Sequence, residues 1–259
     1  MRTTVILNLK GGVAKTTTTV NIATLLARYH GKRVLVIDAD SQCNTTEFFG
    51  ADPAHGNLAD VLRHKEKDAA YSICSIQSTD YAGIDILAGD DSLMDLDLTK
   101  VELQAVQASV LRDMILHLEQ TGTYDYCIVD CPPAFNAASA AALIAADDVI
   151  IPIKLDAFSL RGMTCLLRQI SNMRKINPKL RLAGCLPTMW YKNQQIQDAE
   201  NTLRSSGLPV FSPIRRTDKV DEMTFAQKPL HIFSSHSAAA VDYRRFVCEY
   251  VNGGHNHGI

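Results

Sequence analysis

The sequence predicts an α/β fold in which a doubly wound, mostly parallel sheet carries helices on both faces. Short apolar runs rich in β-branched residues recur along the 259 residues and alternate with longer amphipathic stretches. The runs are almost continuously apolar, which is typical of parallel strands that are buried on both sides. No linker, repeat or low-complexity tract interrupts the alternation. We therefore expect one domain over residues 1–259.

The apolar runs predict strands at residues 3–9, 33–37, 84–88, 124–129, 149–155, 180–186 and 209–212. The amphipathic stretches predict helices at residues 16–29, 101–120, 137–146, 160–175, 193–205 and 237–251. Gly31 stands where the first helix should have its C-terminal cap. The least regular stretches are 44–80 and 217–233, and long irregular loops in such a fold often carry function.

The amino-acid composition argues against several classes of protein and of binding site. Hydrophobic residues make up 46% and charged residues 21%, far from the composition of a disordered chain. The formal net charge is -2, so any binding to DNA must come from a local patch. The 7 cysteines include no CxxC pair, which fits neither a zinc cluster nor a disulfide framework. No segment approaches the roughly 20 apolar residues of a membrane span, and we expect a cytoplasmic protein.

The strongest functional signal is a glycine-rich segment between the first strand and the first helix. It reads Lys10-Gly11-Gly12-Val13-Ala14-Lys15-Thr16-Thr17. Paired glycines let several N–H groups face one anion, and the helix N-terminus adds a positive dipole end. We expect Lys15 to neutralise nucleotide phosphates, Thr16 to bind Mg²⁺ and Thr17 to donate to the α-phosphate. The alternative is a Gly-Gly turn that has two lysines by chance.

Acidic residues end two of the predicted strands. Asp130 follows the strand at 124–129, and Asp38 and Asp40 follow the strand at 33–37. In a sheet of this kind, the carboxyl ends of neighbouring strands face the phosphates and the metal. We expect Asp130 to hold Mg²⁺ and Asp38 to support the magnesium shell. For any single Asp at such a place, a helix N-cap or a turn is the alternative.

These segments resemble the deviant Walker A superfamily that includes ParA, MinD and the nitrogenase iron proteins, and the resemblance covers nearly the whole chain. The hallmark is the additional lysine ahead of the two glycines, here Lys10. The resemblance implies ATP and Mg²⁺ as cofactors and a homodimer in which Lys10 acts on the partner's nucleotide. It also implies that Asp40 orients the attacking water. Ala14 departs from the family glycine, which is costly only if the position requires positive φ.

Later segments extend the resemblance to the base pocket and to DNA. Thr188, Pro213 and Ile214 are candidate adenine contacts, and packing at strand ends is the alternative. Relatives that partition DNA bind it through basic residues of the C-terminal third, here Arg204, Arg215, Arg216, Lys219, Lys228, Arg244 and Arg245. Acidic residues are interleaved with them, so a solvated surface of mixed charge is the alternative.

The resemblance implies an ATP-dependent dimer switch that binds DNA without sequence preference and drives plasmid or chromosome partition at the nucleoid. A ParB-like centromere-binding protein is the implied stimulating partner. A MinD-like membrane ATPase is disfavoured because the last helix is mixed in charge rather than basic and amphipathic. A nitrogenase-like iron protein is disfavoured because a cysteine ligand set is missing. A metabolic P-loop ligase remains a further alternative.

Overall fold

The computed structural model describes residues 1–63, 69–96 and 101–253, with side chains described except at 69–71, 101–108 and 157–161. Within these residues one 7-stranded sheet has the order β3-β4-β2-β5-β1-β6-β7. Neighbouring strands are parallel except for the short edge strand β3, which is antiparallel to β4. The strands are β1 Arg2–Ile6, β2 Val34–Asp38, β3 Gln77–Ser78, β4 Ile84–Leu87, β5 Tyr126–Asp130, β6 Asp148–Lys154 and β7 Arg181–Thr188.

Helices cover both faces of the sheet, as the sequence predicted. They are α1 Lys15–His30, α2 Asn44–Phe49, α3 Leu58–Arg63, α4 Ala69–Cys74, α5 Val101–Gln120, α6 Ala137–Ala145, α7 Ala157–Arg174, α8 Gln194–Ser205, α9 Lys219–Ala226, α10 Leu230–Phe233 and α11 Ala238–Val251. One core lies under α3 and α5 to α8, and the other lies under α1, α2 and α9 to α11. Val5 contributes to the first core and Ile6 to the second, because successive strand residues point to opposite faces.

The structure differs from the predicted elements in three places. Residues 209–212 make only an isolated bridge, between Val210 and Cys185, because the flanking Pro209 and Pro213 have no N–H to extend a ladder. The edge strand β3 is two residues long and has no apolar run that could reveal it. The stretches expected to be irregular contain α2, α3, α4, α9 and α10, which are too short for a clear 3.6-residue pattern.

The last helix holds the first helix in place beneath the site. On α11, the Tyr243 hydroxyl is 3.1 Å from Thr18 Oγ1 on α1. At the other end of α11, the Tyr250 hydroxyl donates to the buried carboxylate of Asp148 at 3.1 Å. Arg181 also donates to Asp148, through Nε at 2.6 Å. Thus α11 docks on the sheet. Among the described residues, no helix is both long and apolar enough to cross a membrane.

Candidate nucleotide site

The loop between β1 and α1 exposes bare backbone at the carboxyl edge of the sheet. Gly11 and Gly12 are exposed, and a Cβ built on either would meet nothing within 4 Å. The Asn8 side chain connects the start of the loop to β6. Its amide NH₂ donates to the Pro152 carbonyl at 2.7 Å, and its side-chain oxygen accepts from the Lys10 N–H at 3.0 Å. The exit is tied to β7, where Thr188 Oγ1 donates to the carbonyl of the buried Val13 at 3.1 Å.

Ala14 adopts a left-handed backbone, with φ at 67°, directly before α1. This is the condition under which alanine was expected to be costly. A left-handed backbone destabilises the folded state by about 1–2 kcal/mol for a residue that has a Cβ. Glycine removes that cost, but it makes the unfolded chain more flexible, which offsets the gain by roughly 0.4–1 kcal/mol. We therefore expect Ala14→Gly to raise the free energy of unfolding by up to about 1 kcal/mol in urea titration.

The control for this prediction is Ala27→Gly, inside α1 and without positive φ. That change should lower the free energy of unfolding by roughly 1 kcal/mol, the cost of glycine inside a helix. If Ala14→Gly were destabilising like the control, Ala14 would not be strained.

The two lysines of the loop have different surroundings. Lys15 is buried at the start of α1, and its ammonium donates to the Lys10 carbonyl at 3.3 Å. Burial lowers the pKa of Lys15, and the nearby carboxylates Asp130 and Asp40 oppose that shift. The Lys10 ammonium instead donates to both carboxylate oxygens of Asp156, at 2.9 and 2.7 Å. Lys15 therefore lies inside the loop, whereas Lys10 lies at its rim in a pair that the sequence did not predict.

Asp130 ends β5 beneath the loop and is almost fully buried. Its Oδ2 accepts hydrogen bonds from the hydroxyls of Thr16 and Thr45, both at 2.7 Å. Its Oδ1 is buried and has no hydrogen-bond partner. A buried carboxylate oxygen without a donor is unfavourable, and it fits the hydration shell of a cation.

These residues fit Mg²⁺, which usually binds one or two carboxylates together with water and phosphate oxygens. Thr16 and Asp130 would hold the ion. Among the described residues, no cluster of three or more His, Cys, Asp or Glu side chains is arranged to hold a metal. The site therefore does not resemble a metal cage built from protein ligands alone.

Asp38 and Asp40 shape the loop that follows β2. Asp38 is fully buried and pairs in register with Asp130 on the neighbouring strand. Its Oδ2 accepts from both the backbone N–H and the hydroxyl of Thr46 at 2.8 Å, and its Oδ1 accepts from the Asp40 N–H at 3.1 Å. Asp38 therefore holds this loop in place, and its expected part in a magnesium shell stays a prediction. Asp40 accepts one bond, from the Gln42 N–H to Oδ1 at 3.0 Å.

The two strand-end carboxylates predict an unusual dependence of stability on pH. Burial, with the neighbouring Asp130 charge, raises the pKa of Asp38 to about 7. Burial raises the pKa of Asp130 to about 6 despite its hydrogen bonds. Between about pH 4 and pH 7 the folded protein therefore keeps protons that the unfolded chain releases, so its free energy of unfolding falls as pH rises. We expect nucleotide-free protein to be roughly 1–2 kcal/mol more stable at about pH 6 than at about pH 7.5.

Asp130→Asn tests the cause of this effect. The variant keeps an oxygen that can accept from Thr16 and Thr45 but removes the buried charge. Urea titrations across the pH range should show higher stability than wild type at about pH 7.5 and a weaker pH dependence. A wild-type stability that rises with pH across this window would contradict the prediction.

A cleft of about 270 Å³ lies beside the loop, between the end of β7 and α9. Two candidate adenine contacts, Thr188 and Ile214, line it, and Pro213 is not among its lining residues. Pro213 instead lies in the segment that follows the edge of β7, where the Ile214 N–H donates to the Pro187 carbonyl at 2.8 Å. The cleft therefore brings together two of the three candidates.

Sequence reasoning missed several residues that line this cleft. They include Lys154, Met189, Tyr191, Thr217 and Asp221. Lys154 ends β6 and could have been found by the strand-end rule that selected Asp130. Met189 has a positive φ of 53°, which no sequence pattern reveals.

The seven candidate DNA contacts divide into two groups. The charges of Arg204, Arg215 and Lys219 are already paired, with Glu200 at 2.8 Å, Asp242 at 2.7 Å and Glu222 at 2.6 Å. The others have no carboxylate partner among the described residues, and they are Arg216, Lys228, Arg244 and Arg245. The structure thus leaves four of the seven positive charges uncompensated.

Comparisons with known proteins show which family and fold the chain resembles. A family model described as an AAA domain matches residues 1–182. The chromosome partitioning protein ParA of Caulobacter vibrioides is 32% identical over 97% of this chain and 94% of its own length. The structure of apo McdA from Cyanothece superposes with a TM-score of 0.83 and 25% identity, covering 97% of this chain and 99% of McdA.

A third similar protein has been solved with a nucleotide and a metal bound. The cobyrinic acid a,c-diamide synthase of Mycobacterium smegmatis, solved with ADP and magnesium, has a TM-score of 0.77 and 29% identity over 98% of this chain and 97% of its own. The candidate site described above, with Lys15, Thr16 and Asp130, would suit a nucleotide and a magnesium ion of this kind. On the strength of its sequence relatives, its fold and this site, the chain belongs to the ParA family, within the ParA/MinD superfamily of P-loop ATPases.

Proposed function

We propose that this ATPase is an ATP-dependent dimer switch that binds DNA without sequence preference and drives plasmid or chromosome partition. The proposal is based on the different positions of the two lysines of the loop. Lys15 fills the inside of the loop, whereas Lys10 lies at the rim with 37% of its side chain exposed. A lysine at the rim suits a nucleotide on a second subunit. The likeness to a chromosome partitioning ParA over 97% of the chain supports the same function.

In this mechanism the backbone amides of residues 11–17 and the Lys15 ammonium bind the phosphates of ATP. Mg²⁺, held by Thr16 and Asp130, would shield the charge that builds up on the phosphates during hydrolysis. Asp40 orients the attacking water. Lys10 leaves Asp156 and neutralises the γ-phosphate bound to the partner subunit. ATP then favours the dimer over the monomer, and hydrolysis removes that preference.

Lys10→Ala separates nucleotide binding from dimer formation. We expect the variant to bind a non-hydrolysable ATP analogue nearly as well as wild type but to stay monomeric in analytical ultracentrifugation. Asp156→Asn should have the opposite effect, because it frees Lys10 from an ion pair of about 0.2–1 kcal/mol. The dimer should then form at up to about fivefold lower protein concentration. A Lys10→Ala protein that dimerises and hydrolyses ATP normally would refute the role in trans.

Binding to an arbitrary DNA duplex tests the function itself. We expect fluorescence anisotropy to show binding with the ATP analogue but not with ADP, and a loss of affinity of 10³-fold or more between about 50 and 200 mM salt if six or more phosphates are bound. A ParB-like centromere-binding protein is the partner proposed to accelerate hydrolysis, and the nucleoid is the proposed location. ATP-dependent retention on liposomes without DNA binding would instead indicate a positioning ATPase. Turnover of a small molecule without DNA binding would indicate a metabolic ligase.

A further inference from the structure

Thr45 on α2 contacts the candidate metal site, although sequence reasoning did not select it. The residue is fully buried, and its hydroxyl donates to Asp130 Oδ2 at 2.7 Å. Thr16 donates to the same oxygen at 2.7 Å. A hydroxyl has one hydrogen, so each threonine commits that hydrogen to Asp130 and keeps its own lone pairs for another partner. Two separate elements, α1 and α2, therefore meet at one carboxylate oxygen.

The two hydroxyl donors favour one orientation of the Asp130 carboxylate. Rotation about the Cβ–Cγ bond of an aspartate is soft, so a carboxylate with few partners can exchange its two oxygens. Hydrogen bonds to an ionised group are roughly twice as strong as those between neutral groups, and Oδ2 accepts two of them. Oδ1 is buried and has no hydrogen-bond partner among the described residues. It is therefore the oxygen left for a cation and its water.

Thr45 is itself held in place by its neighbour. Thr46 donates from both its N–H and its hydroxyl to Asp38 Oδ2 at 2.8 Å, and its hydroxyl accepts from the Gly89 N–H at 2.7 Å. These contacts attach α2 to the ends of β2 and β4. A side chain can orient another one only if its own backbone is fixed. Because the contacts of Thr46 do not involve the Thr45 hydroxyl, we expect them to remain when that hydroxyl is removed.

We propose that Thr45 is a positioning residue for the metal site, and that its hydroxyl keeps Asp130 in the orientation that presents Oδ1 to Mg²⁺ and its water ligands. The proposal rests on the candidate nucleotide site, which the proposed function also uses, and does not depend on DNA binding. Partners that orient a metal ligand from outside the coordination shell typically change metal affinity by about 10–100-fold. Thr45 is expected to have an effect of this size.

The test measures the affinity for Mg²⁺ rather than turnover alone. The affinity of the full chain for an ADP analogue that carries a fluorescent group is measured from zero Mg²⁺ upwards, and the midpoint of this dependence reports metal binding. Thr45→Val keeps the shape of the side chain and removes the hydroxyl. We expect its midpoint to rise about 10–100-fold, while its affinity for the analogue without metal stays within about twofold of wild type. Thr45→Ser restores a hydroxyl and should recover most of the loss.

Two further variants separate this role from a general effect on folding. Thr45→Ala removes the same hydroxyl without placing a methyl group beside the carboxylate, so it should show a similar loss even if Thr45→Val folds poorly. Thr24→Val makes the same exchange at a buried threonine inside α1, whose hydroxyl donates to the Val20 carbonyl at 2.8 Å. Its Mg²⁺ midpoint should stay within about twofold of wild type.

Several results would overturn the positioning role. One is an unchanged Mg²⁺ midpoint in Thr45→Val and Thr45→Ala. Another is a Thr45→Ser protein as weak as Thr45→Val, because packing of the side chain rather than its hydroxyl would then matter. Equal losses with and without Mg²⁺ would assign Thr45 to the folding of the loop. Wild-type protein whose affinity for the analogue is independent of Mg²⁺ would overturn the metal site itself, whereas an ATP dimer that binds no DNA would overturn only the proposed function.

Discussion

Lys15→Ala is expected to abolish useful ATP binding, raising the Kd for a Mg²⁺–ATP analogue by about 10²–10³-fold in isothermal titration calorimetry. The Lys15 ammonium is buried inside the loop and faces Asp130 and Asp40. Removing one member of a buried, hydrogen-bonded charge pair costs about 2–5 kcal/mol. The methyl group of alanine replaces neither the charge nor the hydrogen bonds to phosphate.

Two further variants serve as controls for this result. Lys175→Ala changes an exposed lysine away from the loop and should bind nucleotide as wild type does. Lys15→Arg keeps the charge but has a planar head group that does not match an ammonium in a tight loop, so we expect it to recover little affinity. An alanine variant that binds within tenfold of wild type would show that the backbone amides alone hold the phosphates.

Asp40→Ala is expected to slow ATP hydrolysis by at least about 100-fold, which is the usual contribution of a group that positions or activates the nucleophile. Nucleotide binding should change little, because the phosphates are held by the loop and by Lys15. The ATP dimer should therefore accumulate and stay on DNA. Only one Asp40 oxygen accepts a bond from a described protein donor, the Gln42 N–H, which leaves capacity to orient a water molecule.

Single-turnover hydrolysis and dimer lifetime are the measurements for this prediction. Asp52→Ala is a suitable control, because Asp52 is an exposed carboxylate farther along the same connection, where it accepts a hydrogen bond from the Ala54 N–H. Unchanged turnover in Asp40→Ala would mean that another group orients the water. A loss of nucleotide affinity equal to the loss of turnover would mean that Asp40 supports the loop rather than the chemistry.

Much of the fold followed from local patterns. The helix α5 runs over the residues predicted for it, and the predicted bounds of α6 and α11 differ from the structure by one residue. Long amphipathic segments reveal themselves because burial selects apolar residues at every turn. Short helices such as α2 and α9 were not predicted, because fewer than three turns are too few to establish a helical hydrophobic period. The strand at 209–212 was wrong because two prolines remove the donors that a ladder needs.

The sequence by itself was enough to predict the chemistry of the candidate site. A glycine pair between a strand and a helix, two lysines, and aspartates at strand ends predict a phosphate site, because strand ends and a helix N-terminus meet at one edge of a parallel sheet. Only the tertiary structure decided which charges remain available. It pairs Lys10 with Asp156, pairs Arg215 with Asp242, and places the Thr45 hydroxyl against Asp130. Whether two distant side chains come within 3 Å depends on how elements pack, and no one-dimensional pattern encodes that distance.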